Sequence, residues 1–502
     1  MKLSELFADL FEVNQAASSV LLEREVTAIC IDSRKLVAGG VFVALRGTKS
    51  DGHRYLTQAA AAGVLALVVE DDADVPRDFR GVVVVVADSR KALSQLAARF
   101  NGQPSIKMRM IGVTGTNGKT TTTHMIEAIL EFAGMPTGVI GTIDHHLRSK
   151  VWSTDLTTPD AVAFHSRLKE MSDLGAKAVA LEVSSHALQQ GRVDEVAFDI
   201  AIFTNLSRDH LDYHGDMEQY FKAKALLFHS LLPRSPKSDR FMIVNIDDNH
   251  GRALHPSKSI TCWRYGRHPD AEFCFDVIDQ GFGGTRFRLQ TPQGAREIRL
   301  QMPGVHNVYN ACGAIAAALA VGISFDACVR ALESFSGVKG RLESVANKNG
   351  IYVFIDYAHT DGALEAVLQH LRAIRASAGL ENKIITLFGC GGDRDKGKRP
   401  LMTQAALRGS DFVVLTSDNP RTEDPQQIMN DALQGIDPAL ALGKLFKEID
   451  RRAGIARALK MAQPGDVVLI AGKGHEDYQE IGAVRQPFSD FAVARTILEE
   501  LK

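Results

Sequence analysis

The 502-residue chain is poor in cysteine, and its six cysteines (Cys30, Cys262, Cys274, Cys312, Cys328, Cys390) are scattered without any C-x-x-C pair. That spacing argues against a disulfide framework or a zinc ribbon and fits reduced thiols in a cytosolic enzyme. An excess of charge is missing too: 58 Lys+Arg against 60 Asp+Glu leaves a net charge of −2. No field of one sign is spread over the chain to attract nucleic acid or anionic lipid. The expected partners are therefore small molecules, with no nucleic acid and no membrane. A long apolar run is also lacking. The longest weakly polar stretch, residues 311–323, is mostly Ala and Gly, well short of the roughly 20 residues that span a bilayer. The start, MKLSELFADLF, has no basic-then-apolar order and is interrupted by Glu5 and Asp9, so it reads as a short helix rather than a secretory signal. The expected localisation is cytoplasmic. Fixed-period repeats and low-complexity tracts are absent, as are a G-x-S-x-G elbow and a Cys/His pair, which removes the usual enzyme nucleophiles.

What the chain does have is enough apolar residues, 45%, to build several cores. At roughly 150 residues per domain the length points to about three domains. Val-rich runs at 41–45, 64–69 and 82–86, with an Ala-rich helical stretch at 56–62, read as a small N-terminal α/β domain, residues 1–101. From residue 107 the pattern becomes strand, Gly-rich turn, helix, then apolar strands at 178–183 and 200–203, which predicts a central P-loop ATPase-type parallel sheet over 102–338. Two alternating stretches, 241–245 and 272–290, predict a small antiparallel insertion in it. After Gly337-Val338-Lys339-Gly340, strands at 351–355, 383–388, 412–416 and 467–470 predict a Rossmann-like α/β domain over 339–502. Each of these strands runs into a polar cluster: D-Y-A-H at 356–359, G-G-D-R at 391–394, D-N-P-R at 418–421 and G-K-G-H-E at 472–476. Ligands bind beyond the carboxyl ends of parallel strands, so four such clusters predict one common site.

The sharpest local signal is T-G-T-N-G-K-T-T at 114–121, between a strand and a helix. Its glycines let backbone N–H groups close on phosphate oxygens, Lys119 reaches the outer phosphates, and Thr120 is placed to ligate Mg²⁺. The generic P-loop pattern would need glycine at 113, where Val113 stands. Glu182 ends an apolar strand, where an acid can serve a nucleotide's magnesium. A strand-end Glu alone is more often a solvated edge residue. His210 and Asp212, following Thr204-Asn205, are either metal ligands or hydrogen-bonded loop residues, and a lone helical lysine such as Lys222 or Lys224 is ordinarily solvated.

Taken together, T-G-T-N-G-K-T-T, L-E-V-S-S-H (181–186), T-N-L-S-R-D-H-L-D-Y-H-G (204–215), H-N-V-Y-N (306–310), G-R-L-E (340–343), D-Y-A-H and D-N-P-R resemble the Mur ligases of peptidoglycan synthesis. D-N-P-R, G-C-G-G-D-R-D-K-G-K-R-P (389–400) and G-K-G-H-E-D-Y (472–478) resemble the branch that adds meso-2,6-diaminopimelate to UDP-N-acetylmuramoyl-L-alanyl-D-glutamate. The resemblance implies a monomeric ATP- and Mg²⁺-dependent amide ligase working through an acyl phosphate. It implies that Gly115, Thr116, Asn117, Gly118, Lys119, Thr120 and Thr121 hold the ATP phosphates, with Asn307, Arg341 and Asp356 about the base and ribose. Thr120, Glu182, His210 and Lys224 would serve magnesium, Lys224 as a carbamate. Ile31, Ser33, Thr48, Lys49 and Ser50 would hold the uridine diphosphate, and Leu156, Thr157, Thr158, Ser184, Gln190 and Arg192 the muramoyl-peptide. Arg394, Asp418, Asn419, Pro420, Arg421, Gly472 and Glu476 would hold the incoming amino acid, the arginines gripping its distal carboxylate.

Competing readings are a lysine-adding ligase of the same family, a folylpolyglutamate synthase-like ligase, and a P-loop switch or motor. The last gives no reason for four polar strand ends. A dinucleotide oxidoreductase would need glycine where Arg394 stands. A pairing of Arg421 with Glu423 or Asp424 on the surface is the bland alternative for the D-N-P-R cluster.

Overall fold

The computed structural model describes residues 1–10, 19–47, 50–154 and 156–501. The chain divides into two compact units, Met1–Phe273 with Gly313–Ala327, and Cys274–Cys312 with Cys328–Lys502. Among the described residues no helix is long and apolar enough to cross a membrane.

The first unit holds two sheets. The smaller is parallel, in the order β1 (Ile29–Cys30), β2 (Val41–Val43), β3 (Ala66–Val69), β4 (Val82–Val85). β3 is buried along its whole length, as expected of a β-branched run with both faces covered. One face packs on Leu93, Leu96 and Ala97 of the helix Ser89–Phe100, the other on Leu56 and Ala59.

The larger sheet contains β5 (Arg109–Thr114), β6 (Thr137–Ile140), β7 (His145–Leu147), β8 (Lys150–Trp152), β9 (Ala178–Glu182), β10 (Ile200–Phe203), β11 (Phe241–Asn245) and β12 (Thr261–Gly266). Within this unit they run in the order β12-β11-β10-β5-β9-β6-β7-β8. All pair in parallel except the β6-β7-β8 meander. β11 corrects the sequence reading: it is a parallel strand beside β10, not part of an antiparallel insertion. Four of its five residues are buried, so it is a continuous apolar run, and the alternation expected of a half-solvated strand is absent.

The second unit contains the antiparallel β13 (Phe273–Gly281), β14 (Gly284–Thr291) and β15 (Gly294–Leu300). Here β14 alternates buried and exposed residues, as the 272–290 stretch predicts. The unit also holds a six-stranded sheet ordered β16-β17-β21-β18-β19-β20, from β16 (Glu343–Ser344), β17 (Tyr352–Asp356), β18 (Ile384–Cys390), β19 (Phe412–Ser417), β20 (Leu445–Lys447) and β21 (Val467–Ala471). Successive side chains alternate between two cores. Phe354, Ile384, Phe388 and Leu469 face the helix Asp361–Ser377, whereas Val353, Ile355, Leu387 and Val468 face Ile455, Ala458 and Ile497. The edge strands β16 and β20, and a hairpin of β22 (Tyr478–Ile481) and β23 (Val484–Pro487), lie outside the four strands read from sequence.

Arg451 fastens the carboxyl end of this sheet. It is fully buried and grips both oxygens of the equally buried Asp490 at 2.7 and 2.6 Å. It also donates to the carbonyls of Ser417 and Ala471, the last residues of β19 and β21. Removing one partner strands a desolvated charge, a loss of typically about 3–5 kcal/mol. Arg451→Met should therefore lower the urea midpoint of this unit strongly, and Arg451→Met/Asp490→Leu should recover most of it. Equal midpoints for wild type and Arg451→Met would refute that role.

Candidate functional site

β5 lies between β9 and β10, with Val113 opposite Glu182 and Thr114 opposite Phe203. The phosphate-type loop, Glu182 and the Thr204-Asn205 turn therefore emerge at one edge. Gly115 has φ +148°, and a Cβ there would lie 1.9 Å from Thr204 Oγ1; only glycine fits so close an approach. The helix Lys119–Phe132 starts directly after Gly118. Asn117 N–H donates to Asn205 Oδ1 at 3.0 Å, and Thr204 Oγ1 donates to the Asn117 carbonyl at 2.7 Å. Lys119 Nζ folds back on the carbonyls of Gly115 and Thr116, 2.9 Å from each. Thr120 and Thr121 lie buried in the first turn.

Lys224, on the helix Met217–Leu226, is 2% exposed and donates to the Gly115 carbonyl at 2.9 Å. Its ammonium lies 4.5 Å from the ring centroid of Tyr220. Burial, reinforced by the Lys119 charge and only partly opposed by Asp209, pushes its pKa well below the ordinary lysine range. Lys222, two residues earlier, is solvated and paired with Glu218, so the helix sorts the two lysines by face.

Glu182 is fully buried. Its carboxylate accepts from Thr142 N–H at 2.8 Å and Thr142 Oγ1 at 3.0 Å, and Thr142 Oγ1 is 3.1 Å from Thr157 Oγ1. Thr158 Oγ1 donates to the Glu182 carbonyl and accepts from Ser184 N–H. Arg192 donates to the Thr158 carbonyl at 2.7 Å and forks onto Gln190 Oε1, and Gln190 reaches Tyr213 Oη. Tyr213 stacks on His186, which meets His210 edge-on at 5.1 Å. The expected peptide-binding residues Thr157, Thr158, Ser184, Gln190 and Arg192 thus form one connected network with Glu182, while Leu156 is exposed beside it. His210 is held at φ +53° with Nε2 3.4 Å from Asp209.

In the small sheet, Ile31 is half-buried and Ser33 opens a short turn. Ser33 and Ser50 both reach one stretch: Gln58 donates to the Ser33 carbonyl, and Ser50 Oγ lies 3.2 Å from Tyr55 Oη. Thr48 and Lys49 lie outside the described residues.

In the second unit the four polar clusters follow the carboxyl ends of β17, β18, β19 and β21, which are parallel neighbours. Asp356 accepts from the N–H groups of Leu342 and Ala358, and burial raises its pKa against the opposing Arg341. The Arg341 guanidinium lies 5.5 Å from the Tyr357 ring. Asn307, also in this unit, is buried and donates to the Pro303 carbonyl. Asn419 donates to Glu476 Oε2 at 2.9 Å and accepts from the fully buried Lys473 at 3.0 Å. Lys473 also reaches Glu476 at 3.1 Å and lies 3.6 Å from Asp418. A Cβ on Gly472 would sit 3.3 Å from Asp418 Oδ2. Pro420 is buried, and Arg394 is exposed beside Gly391. Arg421 does not pair with Glu423 or Asp424. It donates to the Gly392 carbonyl at 2.8 Å and pairs with Glu480 at 3.3 Å, because Glu423 is taken by the buried Arg399.

Three participants escaped the sequence reading. Thr142 and Tyr220 carry no motif signal. Lys473 sits inside G-K-G-H-E and was legible there as a polar residue directly after an apolar strand.

Three family models match the chain: Mur ligase family, catalytic domain, over residues 25–101; Mur ligase middle domain over 113–318; and Mur ligase, glutamate ligase domain over 340–474. The chain is 43% identical over 483 residues, 93% of its length and 94% of the relative's, to the UDP-N-acetylmuramoyl-L-alanyl-D-glutamate–2,6-diaminopimelate ligase of Geobacter sulfurreducens. It is 44% identical over 480 residues to the Aquifex aeolicus protein of the same name, covering 96% and 95% of the two chains. A solved structure of a ligase of that name superposes with TM-score 0.72 at 34% identity, covering 100% of this chain and 99% of that one. A folylpolyglutamate synthase from Mycobacterium tuberculosis matches in fold, with TM-score 0.59 at 19% identity, over 81% and 94% of the two chains.

The buried Lys224 amine sets a pH dependence. Unfolded, it binds a proton that the folded chain resists, so stability should climb as pH rises toward the ordinary lysine value near 10.5. One proton corresponds to about 1.4 kcal/mol per pH unit. Urea denaturation in CO2-free buffer from neutral to alkaline pH should show this climb in the wild type and a flatter curve in Lys224→Met. Parallel curves would refute it.

Proposed function

Given that the chain belongs to the Mur ligase family and is an ATP-dependent ligase, we propose that it joins meso-2,6-diaminopimelate to UDP-N-acetylmuramoyl-L-alanyl-D-glutamate in the cytoplasmic assembly of peptidoglycan precursors, and so serves cell shape and division. The near full-length identity to ligases of that name carries this reading. The three divisions are assigned as 1–101 for the uridine nucleotide, 102–338 for ATP and 339–502 for the amino acid.

In this reading the loop 115–121 closes its N–H groups on the ATP phosphates, and Lys119 turns from its carbonyl partners to the outer phosphate. Asn307, Arg341 and Asp356 are assigned to the base and ribose. Thr157, Thr158, Ser184, Gln190 and Arg192 orient the muramoyl-peptide so that its free carboxylate takes the phosphoryl group. The amine of the incoming amino acid then attacks the acyl phosphate, and the tetrahedral adduct collapses to an amide and phosphate.

Thr120 and Glu182 offer the hard oxygen donors that Mg²⁺ favours, with His210 assigned beside them, whereas an amine at position 224 offers no oxygen. The depressed pKa of Lys224 supports a resolution: the neutral amine adds to CO2, forming an N–C bond and releasing one proton, and the resulting carbamate presents oxygens. Bound there, magnesium would screen the two anions as they meet.

For the amino acid, Arg421 and Arg394 are assigned to the distal carboxylate. Asn419 is assigned with them as a further donor, and Glu476, set by Lys473, with the backbone at Gly472, is assigned to the distal ammonium, with Asp418 alongside. L-lysine lacks that carboxylate and would forgo the charge-assisted hydrogen bonds to the two guanidinium groups, a deficit that reaches ~10⁴-fold in kcat/KM.

Two measurements test this. Phosphate release with the UDP-muramoyl dipeptide should require diaminopimelate, with lysine poorer by orders of magnitude and the preference mostly lost in Arg421→Ala; equal kcat/KM for the two amino acids would sink the specificity. Lys224→Ala should be nearly inactive and partly restored by short carboxylic acids, whereas full activity without them would remove the carbamate.

A further inference from the structure

Along the helix that follows the phosphate loop, one turn beyond Thr120, lies a group of side chains that the proposed reaction does not use. His124 and Glu127 stand three residues apart on the helix Lys119–Phe132, a spacing that puts them on one face. His146 comes from β7, where alternation directs it away from the buried His145 and Leu147. One ligand atom from each of His124, Glu127 and His146 lies within 4.8 Å of the others. We propose that these three residues form a binding site for Zn²⁺ or a similar transition-metal ion, distinct from any magnesium site at the nucleotide.

The hydrogen bonds support that reading. His124 Nδ1 lies 2.8 Å from the Thr120 carbonyl, and His146 Nδ1 lies 2.6 Å from Asp144 Oδ1. Both partners only accept, so each Nδ1 carries the hydrogen and each Nε2 is the available ligand. Metal-binding histidines almost always have their second nitrogen tied to a carbonyl or carboxylate in this way. His146 Nε2 currently contacts Glu127 Oε1 at 2.8 Å. A metal entering there replaces the proton between them, which leaves to solvent.

Two imidazoles and one carboxylate match the His₂Glu set of zinc, which takes a water as its fourth ligand, and they mismatch magnesium, which favours all-oxygen octahedra. A tetrahedral ion with bonds of 2.0–2.1 Å separates its ligands by ~3.4 Å, a contraction that side-chain rotation supplies. The half-buried His146 and Glu127, 13% and 19% exposed, leave an entry path. Such an ion would tie the loop helix to the turn that carries Thr142, the residue that holds the Glu182 carboxylate.

The full-length chain, stripped of metal and held in excess Mg²⁺, is titrated with Co²⁺. One ion per chain should bind with the intense visible absorption of a four-coordinate site, should be displaced by Zn²⁺, and should raise the thermal midpoint. His146→Gln should abolish the signal, while Asp144→Asn, which keeps all three ligands, should weaken binding 10–100-fold. His210→Ala should bind Co²⁺ as the wild type does. Absence of a four-coordinate signal in wild type, its persistence in His146→Gln, or its loss in His210→Ala would each overturn the proposal.

Discussion

The parallel register of β5 between β9 and β10 is the constraint from which the first unit's chemistry follows. With Val113 level with Glu182, and Thr114 level with Phe203, three loops leave the sheet at one edge. Gly115 is then pressed against Thr204, its carbonyl is turned toward two lysine amines, and the buried Glu182 needs its donors from the turn after β6. A parallel sheet covered on both faces allows little slippage, because a one-residue shift turns every side chain to the wrong face. The rigidity that aligns the loops also sets the surroundings of the buried Lys224: its side-chain nitrogen keeps a carbonyl acceptor, and burial disfavours its charged form.

The second unit meets a similar problem with ion pairs. Four polar strand ends must stay close without collapsing on one another, and two arginines with fully buried side chains hold them. Arg451 binds Asp490 and the ends of β19 and β21. Arg399 binds Glu423 and Asp431, and also the Gly391 carbonyl. Such pairs add little net stability, but they fix geometry because either partner alone is costly. Their placement leaves the Arg421 guanidinium to the Gly392 carbonyl and Glu480, and leaves Asn419, Lys473 and Glu476 as a compact polar cluster.

Much of this was legible from local patterns. T-G-T-N-G-K-T-T between a strand and a helix, an acid ending an apolar strand, and polar clusters after four apolar runs are signals contained in short stretches, where backbone conformation and side-chain chemistry are set by near neighbours. Lys224 was legible only by resemblance, since nothing in M-E-Q-Y-F-K-A-K-A-L separates it from Lys222 except which face of the helix is buried. Residues 241–245 were misread because a five-residue apolar run says that a strand is buried without saying which neighbour it pairs with.

The chain's own order of residues thus determines the αβ alternation, the phosphate-type loop and the list of polar strand ends. Strand order and register decided the rest: that Thr142 meets Glu182, that Lys224 points at Gly115, that Arg421 faces Glu480 rather than Glu423, and that His146 comes to Glu127 and His124. Those contacts join residues 19 to 109 positions apart. They depend on which faces the packed sheet buries, a property of the whole fold that no local window carries.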